Sequence, residues 1–336
     1  MSDYESRAVL RKLGRSGPLV HPIGFGAWAL GGQWGNQDDG ESVRALHKAL
    51  DLGVNLIDTA AVYGDGRSER IIARALGERK EKPILATKTP PVAGPWPPTP
   101  WCNASERYPE KYLIENVEER LKNLKVERID LLQLHTWTRA WNRDPQPLEV
   151  LAKLKKQGKI GLIGICTPEQ DQNSVIGPMR LGLVDVVQII FNLFDQEAAA
   201  GLLPEAARHQ AGVIVRVPLD EGSLSGKYTP HHKFPEGDFR SRYFEGDRLD
   251  RTLSRIEAIK ADIAEANLGP EWTLPRVAIR YAMDQAGVTI VIPGMRSVAQ
   301  AEDNTSVANL PQLPEELTKK LRRHNWLRGV WYGGKQ

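Results

Sequence analysis

The sequence predicts an α/β protein whose parallel strands alternate with helices, most simply as a (β/α)8 TIM barrel. Short apolar runs recur along the chain, and each precedes a loop and an amphipathic helical stretch, as in a parallel sheet with crossover helices. The runs are continuously apolar, as expected for strands that are covered on both faces. Eight such units in 336 residues suit a single barrel domain spanning 1–336. An open doubly wound sheet is the alternative, because the pattern does not show closure.

The strand–helix units are predicted in chain order. They are strand 23–26 with helix 41–52, 55–58 with 68–76, 83–87 with 109–124, 129–134 with 147–157, 160–165 with 168–176, 186–190 with 198–209, strand 213–217 with helices after a long loop, and strand 289–292 with helix 298–308. Two helix starts carry capping residues. Thr167 precedes Pro168 with Gln170 behind it, and Ser297 is followed three positions later by Gln300, both typical of a helix N-terminus.

Three segments lie outside this repeat. Two strand-like pieces flank 15–17, which predicts a β-hairpin that caps the barrel floor. The connections 89–108 and 220–247 are long, and long carboxyl-face loops surround the active site of a barrel. Tryptophans concentrate in or beside such loops, either as a flat wall for sugar or aryl groups or as packing on the rim. They are Trp28, Trp34, Trp96, Trp101, Trp137 and Trp141.

Composition argues against several classes of function. The net charge of +3 is small and spread out, which does not favour a nucleic-acid partner. Cys102 and Cys166 do not suggest a disulfide framework, and the seven histidines show no metal-ligand spacing. No apolar run is long enough to cross a membrane, and the N-terminus lacks a secretory signal. We therefore expect a cytoplasmic protein without a metal, a membrane or a nucleic-acid partner; the oligomeric state stays open.

Polar side chains cluster at the carboxyl ends of three consecutive predicted strands. Asp58 ends the second strand, Tyr63 lies on the following loop, Lys88 ends the third strand and His135 follows the fourth. A lysine cation beside a tyrosine stabilises its phenolate, an aspartate holds the lysine, and a histidine can hydrogen-bond the substrate oxygen. Each residue alone is more simply explained by structure. Together they predict a site that polarises a carbonyl and protonates the alkoxide formed by hydride addition.

The chain resembles the aldo-keto reductase family over nearly its whole length. The matching segments are RKLGRSG, GFGAWALGG, GVNLIDTAAVYGDGRSERIIARAL, IDLLQLH, GKIGLIGI, QIIFNLF, GSLSGKY and VIPGMRSVAQAEDN. The resemblance implies a (β/α)8 barrel that binds an extended nicotinamide cofactor across its carboxyl face. It also implies that Asp58, Tyr63, Lys88 and His135 are the catalytic tetrad, without substitution.

The resemblance also implies cofactor and substrate contacts. Cofactor contacts are expected from Gly26, Ala27, Trp28, Asp58, Cys166, Thr167, Gln188, Arg216, Val217, Pro218, Leu219, Gly222, Leu224, Ser225, Lys227, Gly294, Met295, Arg296, Gln300, Asp303 and Asn304. Substrate contacts are expected from Trp28, Tyr63, Trp96, His135 and Trp137. No GxGxxG is present, so a Rossmann-type site is not favoured.

Four residues depart from the family pattern. Cys166 and Thr167 stand where many relatives have Ser-Asn, and Arg216 replaces a tyrosine that stacks under the nicotinamide. A guanidinium can also stack on a ring, but its charge should disfavour the oxidised cofactor. Arg296 suits a 2′-phosphate by bidentate bonding, so NADP(H) is the expected cofactor. Because Gln300 replaces a second arginine, NAD(H) is not excluded.

The expected function is hydride transfer between NADP(H) and a small aldehyde, ketone, sugar or alcohol. The intact tetrad favours this enzyme over a non-enzymatic NADPH-binding regulatory subunit, which is the alternative within the same fold. The substrate, the direction of reaction and the assembly stay open.

Overall fold

The computed structural model describes residues 8–32, 35, 37–95 and 98–326. Within them lie a two-stranded hairpin and an eight-stranded parallel sheet in the order of the chain. The hairpin strands are β1 (Arg11–Lys12) and β2 (Leu19–Val20). The sheet consists of β3 (Phe25–Gly26), β4 (Leu56–Asp58), β5 (Ile84–Thr89), β6 (Ile129–Leu134), β7 (Ile160–Cys166), β8 (Val186–Ile190), β9 (Gly212–Arg216) and β10 (Ile290–Val291).

Helices connect the strands and cover the outside of the sheet. They are α1 (Asp39–Asp51), α2 (Arg67–Gly77), α3 (Ala104–Arg107), α4 (Glu110–Leu124), α5 (Gln146–Lys156), α6 (Ile176–Arg180), α7 (Leu202–His209), α8 (Arg240–Tyr243), α9 (Arg248–Glu265), α10 (Leu274–Asp284), α11 (Val298–Ser306) and α12 (Glu315–Arg322). No helix in the described ranges is long and apolar enough to cross a membrane.

The two edges of the sheet meet and close the barrel. Parallel bridges join Ile23 to Val291 and Gly26 to Gly294, and the Gly26 amide donates to the Pro293 carbonyl at 3.1 Å. A Cβ at position 26 would lie 2.7 Å from the Ile292 carbonyl oxygen, so the strands approach this closely only with glycine. The predicted barrel is confirmed, and the open sheet is excluded.

The barrel interior changes from apolar to polar toward the carboxyl face. One side chain from each of seven strands forms a buried apolar layer: Leu56, Ala86, Leu131, Leu162, Val186, Ile214 and Ile290. Since alternate strand residues point to the same face, the next inward positions on five strands bring polar groups together. These are Asp58, Lys88, Gln133, Gln188 and Arg216. The apolar layer supports the polar one from below.

The predicted hairpin caps the floor of the barrel. Arg11 pairs with Val20 and Lys12 with Leu19 in antiparallel register. Leu13 and Val20 are fully buried in the same cluster as the apolar layer. Gly14 has φ of 73°, and a Cβ there would lie 2.8 Å from the Asp185 carbonyl oxygen. The turn therefore needs glycine to bring the hairpin against the strands.

One predicted helix is wrong and one predicted cap is half formed. No helix begins at 168; α6 starts only at Ile176, after a 3-10 turn from Gln172 to Val175. Thr167 does not cap a helix, because its hydroxyl bonds Gln172 and the Gln188 carbonyl oxygen. Ser297 does accept from the Gln300 amide, but the Gln300 side chain accepts from the Arg296 amide instead of completing the box.

Candidate active site

A buried ion pair lies at the top of the barrel interior. Lys88 on β5 and Asp58 on β4 are both buried, with Lys88 Nζ 2.5 Å from Asp58 Oδ2. The ammonium also donates to the Thr59 carbonyl at 2.8 Å and to the Tyr63 hydroxyl at 3.3 Å. Burial lowers the pKa of Lys88, but attraction to Asp58 and Tyr63 outweighs burial, so the net pKa is raised. The lysine is a fixed cation at neutral pH.

Two amides hold the second oxygen of Asp58. Gln133 on β6 and Gln188 on β8 donate their Nε2 groups to Asp58 Oδ1 at 3.1 and 2.7 Å. Both glutamines are fully buried. With Lys88 on the other oxygen, the carboxylate is oriented by three donors from three other strands. The position of the lysine therefore depends on the closed barrel.

The loop after β4 brings Tyr63 over the lysine. The loop turns tightly, and the backbone amide of Tyr63 donates a hydrogen bond to the Ala60 carbonyl at 3.1 Å. A Cβ on the following Gly64 would lie 2.4 Å from the Gly31 carbonyl oxygen, so this close approach needs glycine. Burial raises the pKa of Tyr63 and the Lys88 charge lowers it, with a net rise. The phenol is therefore protonated at neutral pH, and the Lys88 ammonium lies beneath its oxygen, where it can stabilise a phenolate.

His135 completes the group from the neighbouring strand. Its amide bonds the Thr89 carbonyl at 2.8 Å, and its ring stands edge-on to Tyr63 with centroids 6.1 Å apart. Burial, together with the charges of Lys88 and Arg216, holds the pKa of His135 well below its ordinary range. The imidazole is therefore neutral and carries one N–H donor.

These groups open into one cavity of about 950 Å³, called here the carboxyl-face cavity. Most residues expected at the site line it: Gly26, Ala27, Trp28, Asp58, Tyr63, His135, Cys166, Thr167, Gln188, Arg216, Val217, Pro218, Leu219, Gly222, Ser225, Lys227, Gly294, Arg296 and Gln300. Lys88 lies directly beneath its floor. The cavity runs from the tyrosine and histidine to Arg296, as an extended dinucleotide requires.

Other expected contacts do not reach the cavity wall. Leu224 and Met295 are fully buried, Asp303 pairs with Arg276, and the Asn304 amide donates to the Gly294 carbonyl. Trp137 is fully buried too, and its indole N–H donates to Asn142. The structure therefore does not place Trp137 against a substrate.

Of the two explanations for the tryptophans, the flat wall is not formed by the described residues. Trp137 and Trp141 pack edge-to-face inside the core, and Trp101 is exposed on the surface. Trp28 lines the cavity and packs against Phe239 at a centroid distance of 4.8 Å. Trp34 and Trp96 lie outside the described residues. Packing inside the core, not a continuous wall, accounts for the tryptophans at 137 and 141.

The nicotinamide end carries groups with bonding capacity to spare. Arg216 donates to the Thr167 carbonyl at 3.1 Å, while its Nε is buried without a hydrogen-bond partner among the described residues. Gln188 Oε1 faces only the Cys166 thiol, 3.6 Å away. Buried polar atoms normally find partners. A carboxamide bound here would supply them, so the residues present fit a nicotinamide.

Two arginines line the far end of the cavity. Arg296 and Gln37 bond reciprocally, Nε to Oε1 at 2.8 Å and Nε2 to the Arg296 carbonyl at 2.9 Å. Arg240, at the start of α8, forms a bidentate salt bridge with the buried Asp238. Burial and the nearby Arg240 charge lower the pKa of Arg296, and Asp238 partly offsets them. Such a cationic end fits an adenosine phosphate.

Several cavity residues were not singled out by the sequence. They include Arg107, Glu169, Glu221, Tyr228 and Arg240. The Asp238–Arg240 spacing within a loop expected at the site is a signal that could have indicated an ion pair there. Nothing local distinguishes Arg107 from other charged residues. No group of metal-ligating side chains occurs in the part of the chain that the structure describes.

Comparisons with known proteins agree with this geometry. A sequence model of the aldo/keto reductase family matches residues 22–325. The aldo-keto reductase YhdN of Bacillus subtilis is 32% identical over 288 residues, 83% of this chain and 82% of that protein. The aldo-keto reductase yakc of Schizosaccharomyces pombe, whose name carries the designation NADP(+), is 27% identical over 93% of this chain and 90% of its own length.

A solved structure extends the likeness to the fold. A glycerol dehydrogenase from Gluconobacter oxydans has a TM-score of 0.75 at 28% identity, covering 98% of this chain and 97% of its own. The family match spans all eight strands of the barrel and leaves out only the floor hairpin that precedes them. With the closed barrel and its carboxyl-face cavity, these matches establish that the chain belongs to the aldo/keto reductase family of oxidoreductases.

Proposed function

We propose that this chain transfers a hydride between NADP(H) and a carbonyl or alcohol carbon, with Tyr63 as the general acid and base. One observation carries the proposal. Lys88 Nζ bonds Asp58 and the Tyr63 hydroxyl at the same time, beneath a cavity that Tyr63 and His135 line. A phenol over a buried cation can release a proton to a substrate oxygen and remain as a stabilised phenolate.

The roles follow from the contacts. The reduced cofactor, when bound, supplies the hydride that forms the new C–H bond. The Tyr63 O–H bond breaks and its proton goes to the carbonyl oxygen, which becomes the alcohol. Lys88 balances the phenolate charge, and Asp58 keeps Lys88 in place. Neutral His135 donates its N–H to the same substrate oxygen and orients the carbonyl. In the oxidation direction, the Tyr63 phenolate takes the proton back.

The preference for NADP(H) rests on the arginines of the far end. Arg296 lines the cavity with its Nε bonded to Gln37, and Arg240, which pairs with Asp238, places a second guanidinium on the same wall. Guanidinium groups suit phosphate oxygens by paired hydrogen bonds. The NADP(+) designation of the Schizosaccharomyces pombe relative supports the same cofactor, and the glycerol dehydrogenase supports small alcohols and carbonyls as substrates.

Tyr63→Phe tests the proposal. NADPH oxidation is followed by absorbance with a panel of aldehydes, ketones and sugars. The variant should lose carbonyl reduction by about 10²-fold or more, the range for a missing general acid, while its Kd for NADPH stays close to that of the wild type. Near wild-type turnover by Tyr63→Phe would refute the role of Tyr63. Tight NADPH binding without turnover of any substrate by the wild type would instead support a regulatory subunit.

A further inference from the structure

A buried arginine lies on the cavity wall on the side of His135. Arg107 ends α3, is 8% exposed and lines the carboxyl-face cavity with Pro90, Pro91 and Thr136. The next residue, Tyr108, joins this segment to the loop after β6, because its hydroxyl donates to the Thr136 carbonyl at 3.1 Å. Arg107 therefore belongs to the β5–β6 side of the cavity, whereas Arg240 and Arg296 follow β9 and β10.

Only part of the guanidinium is used by the protein. Arg107 Nε donates to the Val92 carbonyl at 3.0 Å and Nη1 to the Pro95 carbonyl at 2.9 Å. A guanidinium has five N–H donors, and the remaining three have no hydrogen-bond partner among the described residues. Both bonded groups are neutral carbonyls, so they leave the positive charge uncompensated.

The other buried arginines show how unusual this is. Arg120 pairs with Glu69 and Glu119, and Arg280 pairs with Asp284. Among the arginines of the described chain that are less than a tenth exposed, Arg107 alone has no carboxylate partner. Because burying an unpaired charge is costly, such a charge facing a ligand cavity indicates that the ligand brings the counter-charge.

We propose that Arg107 binds an anionic group of the substrate, so that the physiological substrate is an aldehyde, ketone or alcohol that carries a carboxylate or phosphate. This inference rests on the proposed function, since it assigns the substrate of the same site. The planar fork of the guanidinium matches two oxygens of such a group. The substrate's reacting oxygen then lies at Tyr63 and His135, and its anionic end at Arg107.

Matched substrate pairs test the charge alone. The kcat/KM values of para-carboxybenzaldehyde and succinic semialdehyde are compared with those of their methyl esters. The wild type should prefer at least one acid over its ester by about tenfold or more, the usual value of a charge-assisted hydrogen bond. Arg107→Met should abolish that preference, and Arg107→Lys should retain part of it.

Two features keep the test independent of the loop that Arg107 also supports. A general loss of structure lowers acid and ester alike and leaves their ratio unchanged, so an unchanged ratio in Arg107→Met overturns the inference, as does the absence of any acid preference in the wild type. Arg128→Met is the control, because Arg128 precedes β6 at the opposite end of the barrel and is exposed; its ratio should equal that of the wild type.

Calorimetric binding separates this inference from the proposed function. para-(Hydroxymethyl)benzoate should bind the wild type and Arg128→Met at least tenfold more tightly than Arg107→Met, and its methyl ester should show no such difference. If no aldehyde is reduced but this pattern holds, the proposed reaction fails and the anion site stands. If aldehydes are reduced and the benzoate binds all three proteins equally, the anion site fails and the reaction stands.

Discussion

Lys88 Nζ lies 2.5 Å from Asp58 Oδ2, and both side chains are buried beneath the cavity floor. Lys88→Met leaves an unpaired carboxylate, which should destabilise the fold by about 3–5 kcal/mol. The double variant Asp58→Asn/Lys88→Met carries no charge there and should regain most of that stability without regaining activity. Thermal unfolding and NADPH-dependent reduction measure the two effects. Equal unfolding temperatures for the single and double variants would contradict the buried-charge argument.

The pH profile of carbonyl reduction should be flat through neutral pH. Reduction needs protonated Tyr63, and burial raises the pKa of Tyr63 above its ordinary value of 10. The active form is therefore complete below that pKa and is lost only as the pH rises through it. His135, whose pKa is lowered well below 6.5 by burial and by Lys88 and Arg216, stays neutral across the same range. An inflection of kcat/KM at pH 6.5 that His135→Gln removes would contradict this assignment.

Arg216 should weaken binding of the oxidised cofactor relative to the reduced one. Its guanidinium lines the cavity and bonds the Thr167 carbonyl, so its charge would lie near the cationic ring of NADP+. In Arg216→Tyr the Kd for NADP+ should fall several-fold relative to that for NADPH. This corresponds to about 1 kcal/mol, the order of magnitude for two charges several ångströms apart in a partly solvated cavity. Arg216→Lys is the matched control that keeps the charge. Equal ratios in all three proteins would rule the effect out.

Arg296 should discriminate NADPH from NADH. Arg296→Ala removes a cation at the far end of the cavity and should raise the KM for NADPH by about 10–100-fold, the range for hydrogen bonds to charged groups. NADH has no 2′-phosphate, so its KM should change little and serves as the internal control. Steady-state kinetics with both cofactors measure the difference, and parallel increases would count against a 2′-phosphate site at Arg296.

Leu13 should stabilise the barrel without affecting catalysis. It is fully buried under the apolar layer of the interior, at the end opposite the cavity. Leu13→Ala should cost about 2–5 kcal/mol in the free energy of unfolding, while the rate of reduction below the unfolding transition stays unchanged. Leu19→Ala, in the same hairpin but 55% exposed, is the control. Similar losses in both variants would show that the hairpin does not act through floor packing.

The residues themselves were sufficient to predict the strands, the hairpin and the four groups at the candidate site. Apolar runs and turn residues are local signals, because they depend on the period of the strand and on which residues the backbone tolerates. The helix predicted at 168 was wrong for the same reason. Its capping residues are locally plausible, but Thr167 and Gln172 bond the neighbouring strand β8 instead.

Tertiary structure alone decided which distant side chains meet. Barrel closure at Gly26 and Gly294 depends on strands more than 260 residues apart, and the burial of Trp137 depends on its packing against Trp141. The sequence does not show that Arg107 lacks a carboxylate partner; this appears only when its contacts in the fold are compared with those of Arg120 and Arg280. The sequence by itself was enough to predict the barrel class and the grouping of Asp58, Tyr63, Lys88 and His135, which do lie together in the structure. Long-range packing determined the polar layer beneath Tyr63 and the cavity wall, since burial and charge compensation are properties of the whole fold.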